Sequence, residues 1–230
     1  MKVFTLPDAE QASRAAAAAI AEQGRRALAE RQQFTLALSG GTSPLRMFEV
    51  LSAEDLDWQR VHLFQVDERL VAADSPERNF NAIRERLLAH ITIPPGQLYP
   101  IPLDLADPDA AASNYAGTLR RVLGPHGAFD LVHLGLGADG HTASLLPGDP
   151  ALESTAAVIV SRHYHGARRL SLSLPVISAA RQRLWLVTGT GKDRALQGLL
   201  DGDTTLPAAR VNRQDSLLYC GPVYIASESR

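Results

Sequence analysis

Apolar positions along this chain follow two different rhythms. Short apolar runs recur at Phe34 to Ser39 (FTLALS), Val61 to Val66 (VHLFQV), Phe129 to Leu134 (FDLVHL), Val158 to Val160, Leu170 to Leu174 (LSLSL), Leu184 to Thr188 and Leu217 to Cys220. They have the length and residue types of buried strands. Between them lie stretches of helical composition. Asp8 to Arg31 is alanine-rich and free of proline, with Asp8 placed to cap it after Pro7. LRMFEVL follows Pro44, Asn79 to His90 stops before Pro94 and Pro95, and Asp109 to Leu123 follows a connection at Pro100 to Pro108. Shorter helices are expected after Pro175, from Asp193 onward and over Pro207 to Val211. Strands that alternate with helices predict an α/β fold: a mainly parallel, Rossmann-like sheet with helices on both faces, in a single three-layer domain over residues 1–230. No internal repeat, low-complexity tract or linker interrupts the pattern.

In such a sheet the chemistry gathers at the carboxyl ends of the strands. Four loops carry polar residues to that edge. The first, Gly40, Gly41, Thr42 and Ser43, lies between a strand and a helix start, so free N–H groups and two hydroxyls point at one spot. It can hold a phosphate, and it can equally be an ordinary strand-to-helix turn with a Ser/Thr cap. No Gly-Lys-Ser/Thr follows, so it is not a nucleotide P-loop. The second loop is Asp67, Glu68 and Arg69 at the end of the next strand, which reads as a ligand edge or as a solvated loop. The third is Asp139 to His141; the fourth, Gly189 to Lys192, repeats the strand–glycine–helix arrangement with a lysine at its lip.

The stretch Phe129 to Gly148, FDLVHLGLGADGHTASLLPG, is the most informative. Gly135, Gly137 and Gly140 spell GxGxxG after a strand, but no acidic residue ends the next strand, VIVSR, and Asp139 stands where a pyrophosphate would approach. Both points weigh against a dinucleotide. An aspartate two residues from a histidine, with Gly140 between them, can instead orient the imidazole, making His141 a general base backed by loop N–H groups that stabilise an oxyanion. Asp139 as a helix cap with His141 a bystander is the plainer alternative, with a short helical segment expected after the turn. His133, within the strand, is expected to be packed or hydrogen-bonded in the sheet. His163 and His165 form a His-x-His pair without an evident third metal ligand and are expected in an exposed loop.

Composition narrows the class. With 45% hydrophobic residues, 21% charged residues and a net charge of −2, nothing points to nucleic acid or an anionic membrane as a partner. Cys220 is the single cysteine, which excludes an intrachain disulfide or a cysteine metal site and suits a cytoplasmic location. The longest apolar run, Ala15 to Ala21, is too short to span a membrane.

LALSGGTSP (Leu36 to Pro44), VDERLV (Val66 to Val71), RNFNAIRERLL (Arg78 to Leu88), GLGADGHTASLLPG (Gly135 to Gly148), RRLSLSLPVIS (Arg168 to Ser178) and VTGTGK (Val187 to Lys192) together resemble the 6-phosphogluconolactonases, within the wider group that includes glucosamine-6-phosphate deaminases. The resemblance implies hydrolysis of 6-phospho-D-glucono-1,5-lactone in the oxidative pentose phosphate pathway, with His141 as acid/base and Asp139 as its partner. It also implies a phosphate site from Gly40, Gly41, Thr42, Ser43, Arg169 and Lys192, with Asp67 and Arg69 near the ligand, and neither metal nor cofactor. The partner implied is the sugar-phosphate lactone; the oligomeric state is left open by the sequence, with a monomer slightly favoured. Leu146 replaces a usual phenylalanine, Ser171 and Ser173 replace threonines, and Arg78 takes a place often held by serine. Deaminases carry an acidic residue after the histidine, in a phrase like FNEP, where this chain reads SLLPG. That difference favours the lactonase over the deaminase/isomerase. A non-catalytic sugar-phosphate-binding regulator would need the phosphate site without His141, and would bring a DNA-binding module for which no segment is left.

Overall fold

In the computed structural model, which describes residues 1–103, 106–124 and 127–221, seven strands form one sheet and every adjacent pair in it is parallel. In chain order the elements are β1 (Lys2–Thr5), α1 (Ala9–Arg31), β2 (Phe34–Leu38), α2 (Leu45–Ser52), β3 (Val61–Gln65), β4 (Asp67–Arg69), α3 (Asn79–Ile83) and β5 (Leu98–Tyr99). There follow α4 (Pro108–Leu123), β6 (Leu131–Leu134), β7 (Val158–Val160), β8 (Arg169–Leu172), α5 (Leu174–Ala179), β9 (Gln182–Val187), α6 (Asp193–Asp201), α7 (Pro207–Arg210) and β10 (Ser216–Cys220). The large sheet runs β1-β10-β9-β6-β2-β3-β5, and β4, β8 and β7 form a small antiparallel sheet.

The pattern of side chains explains the three layers. Leu36 and Leu38 of β2 point with Leu184, Leu186, Met47 and Phe48 into the core under α1 and α2. Ala37 between them joins Val132, Trp185, Tyr115 and Leu196 in the core on the opposite face. A strand buried on both faces is apolar almost throughout; β2 is fully buried, and its one polar residue, Thr35, donates its hydroxyl to Asp130 Oδ2 at 2.9 Å. Alanines line α1 because it lies flat against the sheet and α2; Ala12, Ala16, Ala17 and Ala21 are fully buried. Its start is fixed by Asp8, whose Oδ1 accepts from the Gln11 N–H at 2.7 Å, a cap worth about 1 kcal/mol.

Two features place the site. From β2 the chain builds outward through β3 to β5, then returns to lay β6 on the other side of β2 and continues through β9. The strand order therefore reverses between β2 and β6, and a crevice opens beyond their carboxyl ends. Val66 then ties the two sheets together: its N–H donates to Leu38 O at 2.9 Å and its carbonyl accepts from Leu172 N at 2.8 Å.

Several expectations are corrected. Asp67–Arg69 is a strand, not a solvated loop: Glu68 is fully buried, accepting from the N–H groups of Arg69, Asn79 and Phe80 and from Gln65 Nε2. The helix expected over Asn79 to His90 is α3 followed by a π-helical turn, Arg84–Leu88, in which Ala89 N reaches back to Arg84 O. The segment after Gly140 is not helical. A Thr142–Leu145 bridge closes a tight turn with Ala143 at φ 51°. Part of the Pro100 to Pro108 connection lies outside the described residues.

Candidate active site

The crevice beyond β2 and β6 is a cavity of about 240 Å³ lined by all four loops. Gly40 to Ser43, Asp67, Arg69, His141, Arg169 and Lys192 all line it, so the sequence-derived candidates converge although they lie far apart in the chain. Asp139 stands behind His141 rather than in the wall.

The His141–Asp139 pair is held tightly. His141 Nδ1 lies 2.6 Å from Asp139 Oδ1, which also accepts the His141 backbone N–H at 3.2 Å. Tyr164, in the loop before β8, donates its hydroxyl to Asp139 Oδ2 at 2.9 Å. Asp139 thus has both oxygens occupied. Burial pushes its carboxyl up, but the charge of a protonated His141 ring and the hydrogen bonds from His141 and Tyr164 outweigh it and hold the group below the usual aspartate range. With Nδ1 engaged, Nε2 is the ring nitrogen left for chemistry. Gly137 makes the arrangement fit: a Cβ there would sit inside van der Waals contact of His141 Nδ1 and Cε1, and 2.7 Å from Asp139 Oδ1.

Across the cavity, the turn after β2 and the turn after β9 meet. Lys192 Nζ donates to Ser43 Oγ at 3.2 Å, and Ser43 Oγ donates to Thr188 O at 3.4 Å. Burial pushes the Lys192 ammonium below the usual lysine range, so an anion beside it would be welcome. Gly40 has no room for a side chain because a Cβ would lie 2.5 Å from Asn79 Cβ, and Gly41 takes φ 97°.

Arg169 lies on the His141 side of the cavity. Its guanidinium sits over the Tyr164 ring, 5.2 Å from the centroid, and its Nε has no hydrogen-bond partner among the described residues. Burial lowers its pKa, partly countered by the carboxylate of Asp67. Asp67 is itself buried, accepting from Ser144 Oγ at 2.6 Å. Burial raises its pKa against the opposing pull of Ser144, Arg169, His141 and Arg69. Arg69 donates to the Glu77 carbonyl at 2.9 Å from the rim. Three cations thus face one carboxylate in the lining, a field suited to an anionic ligand.

Four lining or supporting residues escaped the sequence reading as site residues. Asn79 packs on Gly40 and donates to Asp67 O at 3.1 Å; Ser144 holds Asp67; Tyr164 holds Asp139. His133 is packed, as expected, but neither ring nitrogen has a hydrogen-bond partner among the described residues, and it lines the cavity. His163 and His165 are exposed, and no group of His, Cys, Asp or Glu among the described residues is arranged to hold a metal ion. No helix among the described residues is long and apolar enough to cross a membrane.

A parallel α/β sheet with a His–Asp pair and a basic, glycine-turn pocket at its switch point defines an enzyme built for small anionic substrates. Comparison with known proteins makes this specific. The chain belongs to the family described as glucosamine-6-phosphate isomerases/6-phosphogluconolactonase, which matches residues 7–219. It is 41% identical over 175 residues to the 6-phosphogluconolactonase of Synechocystis sp., covering 74% of this chain and 73% of that one. It is 37% identical over 206 residues to the 6-phosphogluconolactonase of Mycobacterium tuberculosis, covering 83% of each. The crystal structure of 6-phosphogluconolactonase from Thermotoga maritima superposes with a TM-score of 0.86 at 28% identity, covering 96% of this chain and 99% of that one.

Proposed function

We propose that this lactonase-type hydrolase opens 6-phospho-D-glucono-1,5-lactone to 6-phosphogluconate, with His141 as general acid/base and the Gly40 to Ser43 turn with Lys192 as the phosphate site. One observation carries the reading: the His141 ring, clamped by Asp139 at 2.6 Å, opens onto the same cavity as the turn that Lys192 bridges through Ser43. A lactone carbonyl and a phosphate several bonds away need such a divided pocket.

In this reading the phosphate rests on the turn amides and Lys192 through charge-assisted bonds. His141 Nε2 takes a proton from water as the water oxygen bonds to the lactone carbon. The resulting oxyanion needs a donor. The amides of Gly137, Gly140 and His141 are already committed inside their own loop, which redirects that role toward Arg169 and its unpartnered Nε. As the ring C–O bond breaks, the imidazolium returns its proton to the departing ring oxygen. Asp139 and Tyr164 keep the ring in one tautomer throughout. A small-molecule substrate and a cytoplasmic setting for the lone, buried Cys220 belong to the same reading.

The deaminase alternative needs a second proton-transfer group beside the histidine. Among the described residues Asp67 is the only carboxylate lining the cavity, and it is buried against Ser144, which favours the lactonase. The test supplies freshly made 6-phosphogluconolactone and, separately, glucosamine 6-phosphate. Hydrolysis well above the spontaneous rate with no ammonia release is expected; ammonia release without lactone hydrolysis would reverse the assignment.

A further inference from the structure

His133 is buried to 1% exposure, yet it lines the active-site cavity, and among the described residues neither ring nitrogen has a hydrogen-bond partner. Its position is well defined. β6 sets it level with Leu184 of β9, and the Ala37–Val132 pairing puts it beside Leu38, immediately before the Gly40 turn. Its ring meets Phe48 of α2 edge-on, with centroids 6.3 Å apart. It therefore lies beneath the turn and the start of α2, at the end of the cavity where Lys192 reaches Ser43.

A neutral imidazole always carries one N–H donor and one bare acceptor nitrogen. A fold that leaves both unpaired in an apolar layer pays for a group that leucine would replace without loss. Phe48, Leu184 and Leu186 sit on the same face and offer it no polar partner. The cavity beside it is the one that the Gly40 to Ser43 turn and Lys192 line.

We propose that His133 is a phosphate-recognition residue, whose neutral imidazole donates its N–H to an oxygen of the phosphate seated on the Gly40 to Ser43 turn. The proposal rests on the reading of that turn as the phosphate site. Burial supports it by pushing the ring down to about 3, so that His133 stays an uncharged donor at any working pH. A neutral donor beside Lys192 adds direction to the phosphate site without adding further buried charge.

The test compares wild type with His133→Leu, using inorganic phosphate as a competitive inhibitor of 6-phosphogluconolactone hydrolysis. The leucine variant is expected to raise the phosphate Ki and the substrate KM roughly 10-fold or more, with the loss in KM rather than kcat. Its Tm at neutral pH should equal or exceed that of wild type, because an unpaired polar group has been removed; a residue with only a packing role would give the opposite pattern. Wild-type Ki and KM in the variant would overturn the proposal. Should the variant not fold, the ring 15N resonances of His133 in the wild-type enzyme decide: they shift on phosphate titration if the proposal holds, and stay put if it does not. A wild-type enzyme that binds phosphate at His133 but leaves the lactone untouched would sink the proposed reaction and leave this inference standing.

Discussion

Replacing Gly137 with alanine tests whether the fit between Asp139 and His141 makes the catalyst. The backbone at Gly137 is not in the left-handed region, so alanine meets no conformational penalty there. The obstacle is steric. The new methyl would overlap His141 Nδ1 and Cε1 and stand 2.7 Å from Asp139 Oδ1, where ordinary contacts begin at 3.4 Å. A rigid ring cannot fold away as a flexible side-chain end can, so the imidazole must retreat by roughly 1 Å, a displacement that costs on the order of 10²-fold in rate. That factor corresponds to about 2.7 kcal/mol of barrier. The methyl would meet His141 and Asp139 rather than Ser43 or Lys192, so phosphate binding should survive. The assay follows lactone hydrolysis above the spontaneous rate, together with the phosphate Ki and a thermal melt. The expected result is kcat down by roughly 10² or more with Ki and Tm near wild type. A kcat within about 3-fold of wild type, far below that 10² loss, would show that the clamped geometry does not carry the chemistry.

Three further outcomes follow from the same geometry. Lys192→Ala should remove a charged hydrogen bond worth roughly 1.5–3 kcal/mol, read as a higher KM and phosphate Ki; a loss confined to kcat would contradict its place at the phosphate. Tyr164→Phe, which frees Asp139 Oδ2, should lower kcat about 10-fold, in line with a hydrogen bond to a charged group, and unchanged kcat at neutral pH would remove Tyr164 from the catalytic arrangement. His133 gives a pH signature in stability: its folded pKa of about 3 lies below the value of 6.5 it has when solvated, so the unfolded chain binds the extra proton between the two. Stability from this group is complete above 6.5 and is lost as pH falls toward 3, by about 2 kcal/mol between pH 7 and pH 5. Urea midpoints of wild type and His133→Leu at those two pH values should show that difference, and parallel behaviour would mean that the ring is not held neutral.

Much of the fold was legible because the large sheet is buried on both faces, which forces apolar runs such as FTLAL that no other element explains. α1 was legible because Asp8 and the alanines act locally. Elements whose stability comes from distant partners were not. Asp67 and Glu68 look like a solvated loop until Ser144, Asn79 and Phe80 are brought to them, and no local pattern announces a strand of three charged residues. β1 escaped because its residues are largely exposed on an edge and it owes its place to pairing with β10 at the other end of the chain. β5 is only two residues long, too short for any periodicity.

The site shows the same division. Gly40 to Ser43 and Lys192 were legible because strand–glycine–helix junctions place polar groups by local geometry, and His141 because its partner Asp139 is only two residues away. Tyr164 was not, because its loop reaches Asp139 across 25 residues and is held by the Tyr164–Ala167 bridge, a pairing that HYHGA does not advertise. Arg169 was placed at the phosphate by resemblance; its stacking on Tyr164 draws it toward the His141–Asp139 pair. The helix expected after Gly140 gives way to a turn because Thr142 Oγ1 donates back to Gly135 O at 2.8 Å, closing the loop on its own strand.

The most direct test of the central claim is the turnover of His141→Ala on freshly made 6-phosphogluconolactone, measured beside its phosphate Ki. A positioned acid/base is worth ~10²–10⁴ in rate, so kcat should fall by that factor while phosphate still binds. Near-full turnover in the variant would place the chemistry on another group and contradict the account.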